Sequence, residues 1–478
     1  MKKKTSLTGN LRPPIVTVLG HVDHGKTTLL DTIRKTNLAA KEKGGITQSI
    51  GASLVVTPEG KKITFIDTPG HAAFSQMRSQ GAKTADIAVL VVASDDGVKP
   101  QTKEALGYIK EAQIPFIVAL SKIDLPQANV EKAKGQLESI GVSFEGHGGD
   151  VPQVELSSKS QKGIKELLEM IILVSEVKGI AGDAEGELQG VVIETSKDKR
   201  GPIVSAVITN GTIGVGMEIS AQDSKAKVRG LFDSLGKPVN VVGPGYPVSI
   251  LGFNKLPSIG AKIIKAEGGV SGVLENDKIR VSRKQEKGQI PVVIKAKSTG
   301  ALRDLIANLP DNISVVASTL GDIIEGDVFI AKSSSMVDES HPPRIFAFES
   351  KVSPSVAKLA EEEGVKIERF EVIYKLFERL EELIAGGKEK ILGEAEIVAS
   401  FPFNDKLVAG CKVVKGRIAR SDNFEITRSK KLVGKVKATS MKKDKKNIDK
   451  AETGEEFGII FTPQLDFRVG DVILSVIR

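Results

Sequence analysis

Eight consecutive residues near the start, Gly20-His21-Val22-Asp23-His24-Gly25-Lys26-Thr27, place two glycines, a lysine and a hydroxyl in the spacing G-x-x-x-x-G-K-[ST]. That pattern cradles phosphate. The glycines let backbone N–H groups approach the phosphate oxygens, Lys26 neutralises the β and γ oxygens, and Thr27 offers its hydroxyl to Mg²⁺. Thr28 follows in the first helical turn, whose dipole favours the same anion. Asp67-Thr68-Pro69-Gly70 closes a strand candidate, Ile63–Ile66. There Asp67 reaches the metal shell and Gly70 brings its N–H to a γ-phosphate. Upstream, Gly44-Gly45-Ile46-Thr47 fits a γ-phosphate sensor that closes with the Thr47 hydroxyl on the metal, with a simple turn as the alternative.

Base identity is carried by Ser121-Lys122-Ile123-Asp124, after the apolar run Phe116–Leu120. A carboxylate at Asp124 accepts two hydrogen bonds from the N1–H and N2 amine of guanine, which adenine cannot supply. A site left with an unpaired carboxylate rejects the wrong base by roughly 10⁴-fold, so the pocket is expected to take GTP and GDP. Lys122 lays its alkyl stem over the base. Ser157-Ser158-Lys159 completes the pocket if its backbone N–H faces the guanine O6.

These motifs need a sheet to hold them. Ile15–Leu19, Ile63–Ile66, Ala88–Val92, Phe116–Leu120 and Gln153–Leu156 are short apolar runs, each followed by a loop and a helical pattern such as Thr102–Ala112 or Gly163–Ile172. That alternation is the signature of a mostly parallel, doubly wound sheet. Past the Gly-rich joint 179–190, short strands separated by Asn210-Gly211 and Gly243-Pro244-Gly245 suggest a β-barrel. Ile208–Ile213 with Gly216–Ile219 is echoed by Val414–Ile418 with Phe424–Ile426, which suggests a second, related barrel. Between the barrels lie strand candidates Pro291–Ala296, Ile313–Ala317, Arg344–Phe348 and Val365–Phe370, with a helix opening at Ser353-Pro354 as N-cap and N1. Phe370, Ile373, Phe377, Leu380 and Ile384 recur on one face of a helix. That helix either joins two domains or packs on the one before it.

The fold class is therefore multidomain α/β plus β. A P-loop GTPase domain is expected over 13–178 after a mobile basic tail at 1–12, then a β-barrel over 179–266 and a polar linker over 267–289. A small α/β/α domain over 290–368, a long connecting helix over 369–387 and a second β-barrel over 388–478 follow. At 478 residues the chain is long enough for several cores. One cysteine excludes an intramolecular disulfide framework and any multi-cysteine metal cluster. The N-terminal Met-Lys-Lys-Lys lacks the apolar run of a secretory signal, and no stretch approaches about 18 apolar residues. A soluble cytoplasmic monomer away from membranes is expected.

Charge is uneven. From Lys390 to Lys450, 16 Lys/Arg stand against 7 Asp/Glu, so this window holds +9 of a net +8 and the rest of the chain sums to −1. A solvated basic face and a footprint for nucleic-acid phosphate both fit. With no Trp and three Tyr, helical RNA or a structured end suits this surface better than base-stacked single strands.

The guanine-nucleotide motifs, with Gly20-His-Val-Asp-His-Gly-Lys26 first and Asp67-Thr-Pro-Gly-His71 in the middle, resemble those of the translational GTPases. Lys43–Ala52, Phe74–Ala82 and Ala93–Thr102 narrow the resemblance to the bacterial translation initiation factor two family, from about Pro13 to the end. It implies a factor that places initiator formylmethionyl-tRNA on the small ribosomal subunit, promotes joining of the large one and hydrolyses GTP on the assembled ribosome. It also implies His71 as the catalytic residue, orienting the attacking water once ribosomal RNA positions it. Asp23 would help hold a monovalent cation. In the terminal barrel, Cys411, Lys443, Glu456, Phe457 and Gly458 fall at or beside family positions for the aminoacylated tRNA end. Cys411 equally fits a small buried hydrophobe.

The chain departs from the family in three places. About a dozen residues precede the GTPase domain, where many members carry a long N-terminal extension, so this is expected to be a short form anchored by other surfaces. Ser121 replaces an asparagine of the guanine motif, and uncompensated loss of its hydrogen bonds costs about 1 kcal/mol. Phe457 and Asp444 replace a cysteine and an aromatic at the formylmethionine site. The alternatives are another translational GTPase, such as an elongation or tRNA-delivery factor, and a nucleotide-gated RNA-binding scaffold. The α/β domain between the two barrels favours the initiation factor over the first.

Overall fold

The protein is described by a computed structural model over residues 11–34, 50–198, 200–266, 289–335, 342–384, 390–403, 406–420, 422–428, 431–443 and 446–477. It divides into two compact units, Met1–Leu380 and Glu381–Arg478. Thr47, Asp444 and nearly all of the 267–289 linker lie outside the described residues.

The first unit opens with β1 (Ile15–Gly20), α1 (Lys26–Arg34), β2 (Gly51–Val56), β3 (Lys62–Asp67), α2 (Ser75–Thr84), β4 (Ile87–Ala93), α3 (Pro100–Ala112), β5 (Phe116–Ser121), α4 (Val130–Ser139), β6 (Gln153–Glu155) and α5 (Ile164–Val177). The sheet runs β2-β3-β1-β4-β5-β6 and is parallel except for β2. β1 and β4 are buried along their whole length, as strands covered by helices on both faces must be. Strand order reverses at β1, so a crevice opens at its carboxyl end, where the phosphate loop lies. Arg12 donates to both oxygens of Asp86 at 2.7 and 2.8 Å, and Leu11 bridges to Ala181. The last two residues of the expected mobile tail are thus fixed, because a bidentate ion pair ties them to the loop before β4.

The next six ring strands are β7 (Gln189–Asp198), β8 (Gly201–Asn210), β9 (Glu218–Ala221), β10 (Ser224–Phe232), β11 (Pro247–Phe253) and β12 (Lys262–Lys265). They close as β7-β8-β11-β10-β9-β12 around a core of Val192, Val204, Ile208, Ile219, Ile250 and Phe253. A four-stranded parallel sheet follows, built from β13 (Ile290–Ala296), α6 (Thr299–Ala307), β14 (Ile313–Leu320), α7 (Glu325–Ser335), β15 (Arg344–Phe348), α8 (Pro354–Glu362) and β16 (Lys366–Phe370), in the order β14-β13-β15-β16. The Ser353 hydroxyl accepts the Val356 N–H, and Pro354 occupies the first helical turn. α9 (Ile373–Ile384) begins three residues later than the apolar period suggests. Phe370 belongs to β16 and stacks on Phe346 at 5.7 Å, so strand pairing overrides the helical pattern there. Ile373, Leu376 and Leu380 are buried, and Arg379 donates to Glu368 on β16 at 2.7 Å. Packing on the preceding domain, the second of the two expectations, is what these contacts describe.

The second unit holds β17 (Lys390–Phe403), β18 (Lys406–Ala419), β19 (Asn423–Arg428), β20 (Lys431–Lys443), β21 (Glu456–Thr462) and β22 (Val472–Ile477), closed as β17-β18-β21-β20-β19-β22. Counted in chain order, the ring strands of both barrels run one-two-five-four-three-six. The sequence echo falls on the second and third ring strands of each, which marks the barrels as two copies of one topology.

Candidate functional site

The phosphate loop leaves β1 at Gly20, where a Cβ would meet the Val91 carbonyl oxygen at 2.4 Å, so only glycine fits. Asp23 is exposed and holds a left-handed φ of 62°. The Val22 N–H donates to Gln101 Oε1 at 3.1 Å. Lys26 opens α1 with its ammonium buried, donating to the His21 carbonyl oxygen. A Cβ on Gly70 would lie 2.5 Å from Lys26 Nζ, so the two motifs converge on one point from adjacent strands. Thr27 is half-buried beside them and Thr28 is exposed.

Two charged side chains, Lys26 and Asp67, are buried at this point. Burial lowers the Lys26 pKa to about 8, and burial pushes Asp67 up to about 6 against the nearby Arg34 and Lys26. Arg34 Nη1 lies 3.6 Å from one Asp67 oxygen, while Asp67 Oδ1 is buried without a hydrogen-bond partner among the described residues. A phosphate against Lys26 and a divalent cation at Asp67 would reverse both penalties. The donor set therefore fits a Mg²⁺-nucleotide.

At the base end, the Ser121 hydroxyl donates to the His24 carbonyl oxygen at 2.7 Å. This ties the guanine motif to the phosphate loop, so at least one polar link to that loop is present with serine at the position. Lys122 sits at φ 57°. The Ser157 hydroxyl and the positive Lys159 hold the exposed Asp124 carboxyl below its ordinary pKa, so it is an acceptor at neutral pH. Ser157 is buried and its Oγ accepts the Ser160 N–H at 3.1 Å; Ser158 is half-buried and Lys159 exposed. Ser121 ends β5, Lys122 and Asp124 follow it, and Ser157–Lys159 follow the adjacent strand β6, so these residues flank one mouth of the sheet. His24 is buried, its pKa lowered to about 4 by burial, and its ring lies 3.5 Å from Asp96.

His71 follows Gly70 and is half-buried. Its Nδ1 accepts the Ala73 N–H at 3.2 Å, so the neutral ring carries its proton on Nε2. Burial, then the charge of Arg78, lowers its pKa. Arg78 is completely buried in α2 and donates to the Pro69 and His71 carbonyl oxygens and to both Glu104 oxygens at 2.9 and 3.0 Å. Sequence reasoning missed this clamp. Its only signal is an arginine seven residues past the histidine, on a helix face that turns inward.

The α/β domain also grips α2. Asp304 Oδ1 accepts the Gln76 N–H at 3.3 Å, Asn308 donates to the Ala73 carbonyl oxygen at 3.1 Å, and the Gly300 N–H donates to Glu194 of the first barrel at 3.1 Å. Burial pushes Glu194 and Asp304 up to about 7. Between about pH 4 and about pH 7 the folded state holds protons the unfolded chain has lost, so stability falls as pH rises through this window. Asp304→Asn keeps an acceptor for α2 without a titrating group. Its melting temperature is expected to exceed the parent's at alkaline pH, with a shallower pH slope; an unchanged slope in calorimetric scans would remove Asp304 from the titration.

In the second barrel, Cys411 and Phe457 are register partners inside the core. The Cys411 thiol donates to the Ala409 carbonyl oxygen at 3.5 Å, and burial raises its pKa far above the ordinary thiol range. Neither residue faces outward in this arrangement; the small buried hydrophobe is the reading of Cys411 that the geometry matches. Glu456 is exposed, Gly458 half-buried, and Lys443 lies 2.8 Å from Glu455. Lys412, Lys415, Arg420, Lys435, Lys437 and Lys442 are all exposed on the same barrel.

Comparison with known proteins supports the fold class. Residues 12–176 match the model described as the elongation factor Tu GTP binding domain, 187–266 that of elongation factor G domain 2, and 250–381 that of translation-initiation factor 2. The translation initiation factors IF-2 of Aquifex aeolicus (strain VF5), Caldanaerobacter subterraneus subsp. tengcongensis and Thermotoga sp. (strain RQ2) are 36%, 40% and 40% identical over 97%, 97% and 96% of the chain. The chain spans 60%, 69% and 70% of their lengths. Among solved structures, GDP-bound aIF5B from Aeropyrum pernix is 29% identical, with a TM-score of 0.49 over 98% of this chain and 92% of that one.

A doubly wound nucleotide domain followed by a barrel, with these motifs in place, defines the class of translational GTPases. Within that class the chain belongs to the translation initiation factor IF-2 family.

Proposed function

We propose that this chain is a nucleotide-switched initiation factor. Bound to GTP, it places initiator formylmethionyl-tRNA on the small ribosomal subunit and promotes joining of the large one; it hydrolyses the GTP on the assembled ribosome. The observation that carries this reading is the convergence of Lys26, Gly70 and the orphaned Asp67 oxygen at one point, in a chain whose IF-2 relatives align over nearly its whole length. Lys26 and the loop N–H groups hold the phosphates, and Asp124 with Lys122 and Ser157–Lys159 selects guanine. Thr27, Thr47 and Asp67 would hold Mg²⁺, which offsets charge on the β- and γ-phosphates when bound. Gly70 senses the γ-phosphate, and His71 orients the attacking water. Activation in trans is worth up to about 10⁵ in phosphoryl transfer, near 7 kcal/mol, so turnover without ribosomes is slow.

The second barrel holds the aminoacylated tRNA end, with Lys443, Glu456 and Gly458 beside the exposed basic strands. Cys411 and Phe457 act from inside by shaping those strands. The factor works in the cytoplasm as a monomer; no described helix is long and apolar enough to cross a membrane. A fragment from Lys390 to Arg478, which has its own closed ring and core, is expected to bind formylmethionyl-tRNA more tightly than uncharged tRNA. Its affinity should fall steeply with salt. Filter binding that gives equal affinities for both would reduce the barrel to a general polyanion binder.

A further inference from the structure

The His71 ring stacks on Tyr374, with centroids 6.3 Å apart and planes inclined by 27°. That separation lies within the range over which aromatic faces attract. Nδ1 is occupied by the Ala73 N–H, the backbone carbonyl by Arg78, and Phe74 meets the ring edge-on at 6.4 Å, while the Tyr374 stack is the contact that comes from another domain. Tyr374 is the second residue of α9, and α9 is no loose arm. Ile373, Leu376 and Leu380 anchor it, and Glu368 receives Arg379 and Arg344, each at 2.7 Å. Tyr374 itself is 37% exposed, so filling a core does not explain its ring.

We propose that Tyr374 is a positioning residue for hydrolysis: it holds the His71 imidazole in a resting stack on α9, and His71 must leave that stack to orient water. The inference rests on His71 being the water-orienting residue. A contact of this kind shifts a ring population by about tenfold or less, which differential binding on the ribosome can outweigh. α9 runs on to Ile384, and the first strand of the second barrel opens at Lys390. A displacement of α9 on its own domain alters the restraint on His71. The same domain holds the start of α2 through Asp304 and the turn just before it through Asn308, so the segment that follows His71 is restrained from the body that carries Tyr374.

The test uses the full chain without ribosomes. Single-turnover GTP hydrolysis is measured for Tyr374→Ala, Tyr374→Phe and the double variant His71→Ala/Tyr374→Ala, with an NMR titration of the His71 imidazole in the single variants. Tyr374→Ala is expected to raise the rate roughly three- to tenfold and to raise the His71 pKa toward its ordinary value. Tyr374→Phe keeps the stack and stays at the parent values, and the double variant loses the gain. Absence of either change in Tyr374→Ala overturns the proposal, as does a gain that survives in the double variant or a Tyr374→Phe that behaves like Tyr374→Ala. The catalytic reading fails separately: if His71→Ala leaves ribosome-stimulated turnover intact, that reading falls, while the titration still reports whether the stack exists.

Discussion

His71→Ala is expected to lower ribosome-stimulated GTP hydrolysis by roughly 10³- to 10⁵-fold while leaving GTP affinity within about twofold. The imidazole is turned to its own backbone and to Tyr374, and in the proposed reading Lys26, Gly70 and Asp124 hold the nucleotide without it. The loss therefore belongs to the rate and not to binding. Truncation also removes the acceptor for the Ala73 N–H, a cap worth about 1 kcal/mol. His71→Asn restores an acceptor at that position. Equal losses in both variants assign the defect to chemistry, whereas recovery in His71→Asn would assign it to the cap. Quench-flow measurement with ribosomes makes the comparison, and unchanged turnover in His71→Ala refutes the catalytic role.

Asp124→Asn is the second large effect. The carboxylate is kept ionised by Ser157 and Lys159, so it presents acceptors only. An amide in its place turns a donor toward the donors of guanine. Guanine nucleotide affinity is expected to drop by roughly 10² to 10⁴, with a gain for xanthine nucleotide, whose altered edge suits the amide. The depressed pKa also means that the selectivity should not change from neutral to alkaline pH through this group. Competition binding with both nucleotides tests it; unaltered guanine affinity counts against the pocket.

What was legible in the sequence is what phosphate chemistry makes contiguous. Backbone N–H groups, a lysine and a hydroxyl must lie within one turn of chain, so Gly20–Thr27 announces itself, and the strands that lead to Asp67 and Asp124 are short, apolar and regularly spaced. The barrels were legible as a class because turn residues recur between short strands, and their shared ring order left an echo at Ile208–Ile219 and Val414–Ile426. Contacts between distant segments had no such signal. Arg78 with Glu104, Asp304 with Gln76 and Tyr374 with His71 are set by packing between elements, which no local period encodes. The start of α9 illustrates the competition: Phe370 fits the helical face, yet pairing with Phe348 and stacking on Phe346 place it in a strand. In the second barrel, register brings Cys411 and Phe457 together inside the wall, a fact of strand pairing that spacing alone does not reveal.

The most direct test of the account is stopped-flow light scattering of ribosomal subunit joining with this protein, initiator formylmethionyl-tRNA and either GTP, a non-hydrolysable GTP analogue or GDP. Joining is expected to be fast with GTP and with the analogue and slow with GDP, because in the proposed reading the γ-phosphate contact at Gly70 sets the active state. Equal rates with GTP and GDP, or joining no faster than without the protein, would contradict it.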